Sequence, residues 1–235
     1  MNVLVFGATG MLGQGVLREC LMDSDVQLIA TVGRTATGTH HSKLREIVNK
    51  DLSHYEAIEG ELSGFDACFF CLGVSSRGMT EMDYERVTYG ITVAAAETLC
   101  RRNPQMTFIY VSGAGTDSSE KGRSMWARVK GKTENSLLRL PFAAAYMFRP
   151  GIIQPLYGTK SKTAAYRVFY AIGKPLLTPL RWVFPNYILT TEQIGRAMLN
   201  VARRGYPQRI LETKDIRAAA GPDLEKSSSI PPAQH

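Results

Sequence analysis

The chain opens on "MNVLVFGATGMLGQGVL", in which a β-branched apolar run gives way to three glycines, Gly7, Gly10 and Gly13, spaced three apart. Leu12, Val16, Leu17, Cys20 and Leu21 then recur at helical intervals, which predicts an amphipathic helix over residues 11–22. A strand must therefore hand over to a helix almost at once. Gly7 allows the turn to be tight, Gly10 allows a ligand to approach the backbone, and Gly13 allows the helix to pack near the strand. The free N–H groups and partial positive charge at the start of such a helix suit a diphosphate. This is the dinucleotide-binding arrangement, spaced G-x-x-G-x-x-G rather than G-x-G-x-x-G.

The rest of the chain keeps the alternation. Strands are predicted in "VQLIATVG", "KLREIVNKDL" (weaker), "FDACFFCLG", "MTFIYVSG", "AAYMFRPG" and, short and last, "QRILE". Helices are predicted over residues 83–102 and 124–140 and in "TTEQIGRAMLNVARR", which a threonine opens. Strand and helix in turn specify an α/β fold, a Rossmann-like doubly wound parallel sheet. One NAD(P)-binding domain is expected over residues 1–220. Residues 158–187, rich in aromatics and prolines, break the rhythm and are expected to form a small C-terminal substrate-side lobe or lid. The polar, Pro/Ser-rich stretch 221–235 is expected to be a disordered tail.

The second strand decides which dinucleotide is expected. An NAD-binding site places an acidic residue about 20 residues past the turn, on the ribose hydroxyls. Here "TVGRTATGTHH" holds no acid from Thr31 to His41, and Arg34 stands in that region. A guanidinium suits a 2′-phosphate that a carboxylate would repel. NADP(H) is therefore the expected cofactor, with NAD(H) second.

With 28 Lys and Arg against 21 Asp and Glu, the formal net charge is +7. The cations are spread out, with no block of five or six, so nucleic acid is not an expected partner. Peripheral membrane contact through residues 158–185 is disfavoured by Pro175, Pro179 and Pro185, which interrupt it. Four cysteines in 235 residues make no disulfide framework. Cys68 and Cys71 have C-x-x-C spacing, but residues three apart on a strand face opposite sides. No His/Cys/Asp cluster has metal spacing, and no metal is expected. With no secretory leader read at the start, the expected setting is reducing and cytoplasmic.

"GATGMLG", "VGR", "CLG", "YVSG", "VKGKTE" and "FRPG" together resemble the short-chain dehydrogenase/reductase superfamily. The likeness is greatest to its atypical NAD(P)H-binding members, similar to Tat-interacting-protein-type oxidoreductases and to NAD-dependent epimerase/dehydratase-like proteins. It spans residue 1 to about 151, with "RAMLN" extending it. The resemblance implies that Thr9, Met11 and Leu12 join the three glycines in holding cofactor. It places Asp51 and Leu52 beside the adenine, Cys71, Leu72 and Gly73 along the ribose, and Pro150 and Gly151 near the nicotinamide.

The family's chemistry uses Ser to orient the substrate oxygen, Tyr to move its proton, and a Lys four residues later. That Lys lowers the Tyr pKa and holds the nicotinamide ribose. Ser112 and Lys130 match, but Trp126 stands where the Tyr should be. An indole N–H does not titrate usefully, so general acid catalysis, typically worth about 10²–10⁴ in rate, is missing. Tyr84, Tyr89 and Tyr157 are the candidate substitutes. Two functions are compatible with this pattern. One is an oxidoreductase or epimerase-like enzyme on a small organic substrate. The other is a non-catalytic NADP(H)-binding module that reports to a regulatory protein partner.

Overall fold

The computed structural model describes residues 1–157 and 187–222. The expected lobe at 158–187 and tail at 221–235 lie outside these residues, apart from Tyr187, Gly221 and Pro222. The elements run β1 (Asn2–Phe6), α1 (Met11–Met22), β2 (Leu28–Gly33), β3 (Leu44–Val48), a 3₁₀ segment (Glu56–Leu62) and β4 (Ala67–Phe70). There follow α2 (Glu81–Glu85), a π-helical turn (Arg86–Gly90), α3 (Ile91–Arg102), β5 (Thr107–Val111), α4 (Met125–Arg139), β6 (Ala144–Arg149) and β7 (Ile152–Gln154). Beyond the undescribed stretch come β8 (Ile188–Thr190), α5 (Thr191–Arg204), β9 (Ile210–Glu212) and α6 (Thr213–Ala220).

Seven parallel strands form one sheet in the order β3-β2-β1-β4-β5-β6-β9, and β7 pairs with β8 beside it. The order reverses between β1 and β4, and the ends of strands on either side of such a reversal leave a crevice. Strand parity sorts the apolar residues onto two cores. Val3, Val5, Phe69, Ile109 and Phe148 face α1 and α5, whereas Leu4, Phe6, Phe70, Phe108 and Met147 face α3 and α4. On the second face Phe6, Phe70, Phe108 and Phe142 form a chain of stacked rings, with centroids 5.0–5.8 Å apart. Cys68 lies in the second core while Cys71 packs against the first, as strand alternation requires.

The predicted helix over 83–102 is interrupted. It starts as the short α-helix α2, passes through the π turn and resumes as α3. Val87, within the π turn, and Ile91, just after it, line the crevice. The threonine start of the late helix is Thr190, whose hydroxyl and Gln193 form a reciprocal capping box.

Candidate functional site

The β1–α1 turn fits a backbone-bound diphosphate because two of its glycines leave no room for a side chain. Gly7 has φ +78°, and a Cβ there would lie 2.8 Å from the Cys71 carbonyl. A Cβ on Gly13 would lie 2.1 Å from Gly7 O and 2.9 Å from Ala8 Cα. The first turn of α1 therefore sits directly on the loop. Gly10 is its N-cap and supplies no side-chain cap, which leaves the leading amides to a ligand.

Around this turn is a cavity of about 440 Å³. It brings together Gly7, Thr9, Gly10, Met11, Arg34, Asp51, Leu52, Cys71, Leu72 and Gly73. Of the remaining predicted cofactor residues, Leu12, Gly13, Lys130, Pro150 and Gly151 are not in its wall. Gly13 instead supports the turn from behind. Gly151 is packed, since its Cβ would lie 2.7 Å from Tyr187 O and its amide donates to Thr213 Oγ1 at 2.9 Å.

An adjoining cavity of about 380 Å³ at the end of β2 holds Arg34, Thr35, Thr37 and Lys50, and among the described residues no carboxylate lines it. No local sequence signal marks Lys50. It comes beside Arg34 because β3 pairs with β2, and its Nζ donates to Arg34 O at 3.1 Å. Glu46 on β3 accepts from Thr37 N (2.7 Å) and Thr37 Oγ1, which pins the loop after Arg34. Asp51 is exposed; hydrogen bonds from Ser53 N and from His54 hold its carboxyl below the usual range.

Outside that wall, beyond the end of β5, Lys130 Nζ donates to Ser112 O. Burial lowers its pKa to about 8, while Glu134 one turn on opposes the fall. The Ser112 hydroxyl donates to Glu134 Oε1 at 2.5 Å and contacts Phe148 O at 3.2 Å. It is turned into the protein, which departs from the expected role of orienting a substrate oxygen. The next residue, Gly113, has φ +147° and open space where a Cβ would be. Trp126 packs its ring edge on the loop, 3.6 Å from where a Gly115 Cβ would sit.

The three tyrosines considered as substitute acids have other engagements. Tyr84 is buried among the core residues. The Tyr89 hydroxyl accepts from Ser136 at 3.5 Å, and Lys132 lies over its ring. Tyr157 donates to Glu192 at 3.0 Å and stacks on Arg18. The Cys71 thiol, although on the cavity wall, is pushed up to about 12 by burial and is not a nucleophile at neutral pH.

A family model described as NAD(P)H-binding matches residues 7–142. The chain belongs to this NAD(P)H-binding family. Among relatives, Protein FMP52-2, mitochondrial, of Scheffersomyces stipitis is 30% identical over 217 residues, covering 88% of this chain and 89% of that one. Protein HTATIP2 of Rattus norvegicus is 26% identical over 155 residues, covering 65% of this chain and 62% of that one. The fold is that of UDP-N-acetylglucosamine 4-epimerase from Methanobrevibacter ruminantium. The TM-score is 0.66 at 15% identity, covering 90% of this chain and 75% of that one. It is also that of the YIR035C short chain dehydrogenase/reductase of Saccharomyces cerevisiae. There the TM-score is 0.63 at 14% identity, covering 93% and 97%.

These comparisons overturn the cytoplasmic expectation, because the FMP52 relatives from several yeasts are named as mitochondrial proteins. The four cysteines are unpaired, which does not say which compartment holds the chain.

Proposed function

We propose that the chain is an NADP(H)-dependent oxidoreductase acting on a small organic substrate, with Arg34 and Lys50 gripping the 2′-phosphate. The observation that carries the cofactor choice is the cavity at the end of β2, where Arg34 and Lys50 share a wall to which, among the described residues, no Asp or Glu contributes. Gly7, Gly10 and the leading amides of α1 hold the diphosphate, and Asp51 with Leu52 borders the adenine. NADPH bound here would supply the hydride; Lys130 of α4, whose Nζ reaches Ser112 O at the end of β5, would hold the nicotinamide ribose. Pro150 and Gly151 close the chain beside it.

A fluorescence titration tests this reading. Arg34→Ala and Lys50→Ala should each weaken NADPH binding about ten- to a hundredfold, one charge-assisted contact apiece, and leave NADH binding unchanged. An equal loss for both dinucleotides, or none for either, refutes the assignment.

A second reading is favoured by Trp126 in the tyrosine position and by the inward turn of the Ser112 hydroxyl. In it the protein binds NADP(H) without turnover and relays occupancy to a protein partner. Wild-type oxidation of NADPH by a carbonyl panel separates the two: turnover supports the enzyme, and tight binding without turnover supports the module.

A further inference from the structure

At the ends of β5 and β6, three elements converge on one carboxylate. Glu134 has no solvent exposure and lies one helical turn past Lys130, on the same face of α4. Its Oε1 accepts from Ser112 Oγ at the end of β5 and from Arg149 Nε at 3.0 Å, and its Oε2 accepts from Arg149 Nη2. Arg149, the last residue of β6, donates further to Ser118 Oγ at 2.6 Å and to Glu212 Oε1 at 3.3 Å. The next two residues are Pro150 and Gly151, and the Gly151 amide is held by Thr213 Oγ1. A buried ion pair is weak as a stabiliser, because a well-packed apolar pair of the same volume often does as well. This pair joins the three chain segments that carry Ser112, Lys130 and Pro150–Gly151, which is a geometric task.

We propose that Glu134 is a positioning residue for the ends of β5 and β6: it turns the Ser112 hydroxyl inward, anchors Arg149 ahead of the Pro150–Gly151 turn, and faces the Lys130 ammonium with a fixed negative charge. The inference rests on the cofactor reading for what those strand ends receive, but its test does not need cofactor. Among the described residues, the charged and titratable groups around Glu134 and Lys130 are Arg149 of β6, Glu212 of β9 beyond Arg149, Tyr110 of β5 and, beside Tyr110, Tyr84 of α2. Glu134 is the one among these that opposes the effect of burial on Lys130. Replacing it with a neutral amide leaves Arg149 positive nearby, so Lys130 must lose its proton at lower pH.

Reductive ¹³C-methylation, with the Lys130 signal assigned through Lys130→Arg, reads that titration directly by NMR. The wild-type midpoint is expected near 8. Glu134→Gln should move it down by about one unit or more, and Glu134→Asp should bring it back toward the wild-type position. If Glu134→Gln does not fold, Glu134→Gln/Arg149→Met removes both charges together, and its midpoint should also lie below that of the wild type. A purely structural role for Glu134 would leave the midpoint where it is. An unmoved midpoint in the folded variant, or a wild-type Lys130 titrating in the ordinary lysine range, overturns the proposal. Failure of the wild type to bind NADPH refutes the cofactor reading instead, and the midpoint still decides the role of Glu134.

Discussion

Substituting alanine for Gly13 puts the strand–turn–helix junction to its most direct test. The new Cβ would fall 2.1 Å from Gly7 O, 2.6 Å from Gly7 C and 2.9 Å from Ala8 Cα, all backbone atoms that cannot swing aside. The start of α1 must move off the loop by about an ångström to restore contact distance. Overpacking of that kind typically costs about 1–3 kcal/mol, and an immovable backbone puts this site at the upper end. The same movement separates the helix amides from the turn that aims them at the diphosphate. Gly13→Ala should therefore lower the urea midpoint and weaken NADPH binding more than tenfold. Gly60 is the internal control, since a Cβ there meets nothing within 4 Å. Gly60→Ala should leave affinity unchanged and shift stability by less than about 1 kcal/mol. Urea melts and NADPH fluorescence titrations on both variants decide the matter. If Gly13→Ala binds and unfolds like Gly60→Ala, the close approach of α1 to the turn is not what makes the site.

Two further predictions concern Trp126 and Lys130. Trp126→Tyr returns a titratable hydroxyl one turn before Lys130 and should raise NADPH-dependent carbonyl reduction, by less than the full 10²–10⁴ that general acid catalysis typically supplies. The shortfall is expected because the Ser112 hydroxyl stays on Glu134; no gain, measured by NADPH absorbance, counts against the site assignment. Lys130 also ties stability to pH. Its folded pKa is about 8 against an ordinary 10.5. Below 8 both states carry the proton, and the folded state bears the whole burial penalty, about 3 kcal/mol at most. Between 8 and 10.5 the unfolded chain holds the proton that the folded one has lost, so stability should rise with pH relative to Lys130→Met. Urea melts at the two ends of this window check the sign, and a relative fall would refute it.

The opening of the chain announced itself in the sequence because its constraints are local. Gly7 and Gly13 are glycine for lack of room, and the periodicities on either side are two and three-to-four residues. Strand and helix order came from the same short-range patterns, as did the missing acid after β2 and the tryptophan four residues before Lys130. Tertiary structure decided what those patterns do not encode. Lys50 reaches Arg34 only because β3 lies beside β2, and that the face carrying Val87 and Ile91 lines the crevice follows from where the helix packs on the sheet. Ser112 reads in sequence as a residue for the substrate, yet its hydroxyl points inward to Glu134, a partner 22 positions away. Periodicity fixes which residues share a face. Which face meets a ligand, and which carboxylate waits behind it, depends on sheet order and on helices packed from elsewhere in the chain.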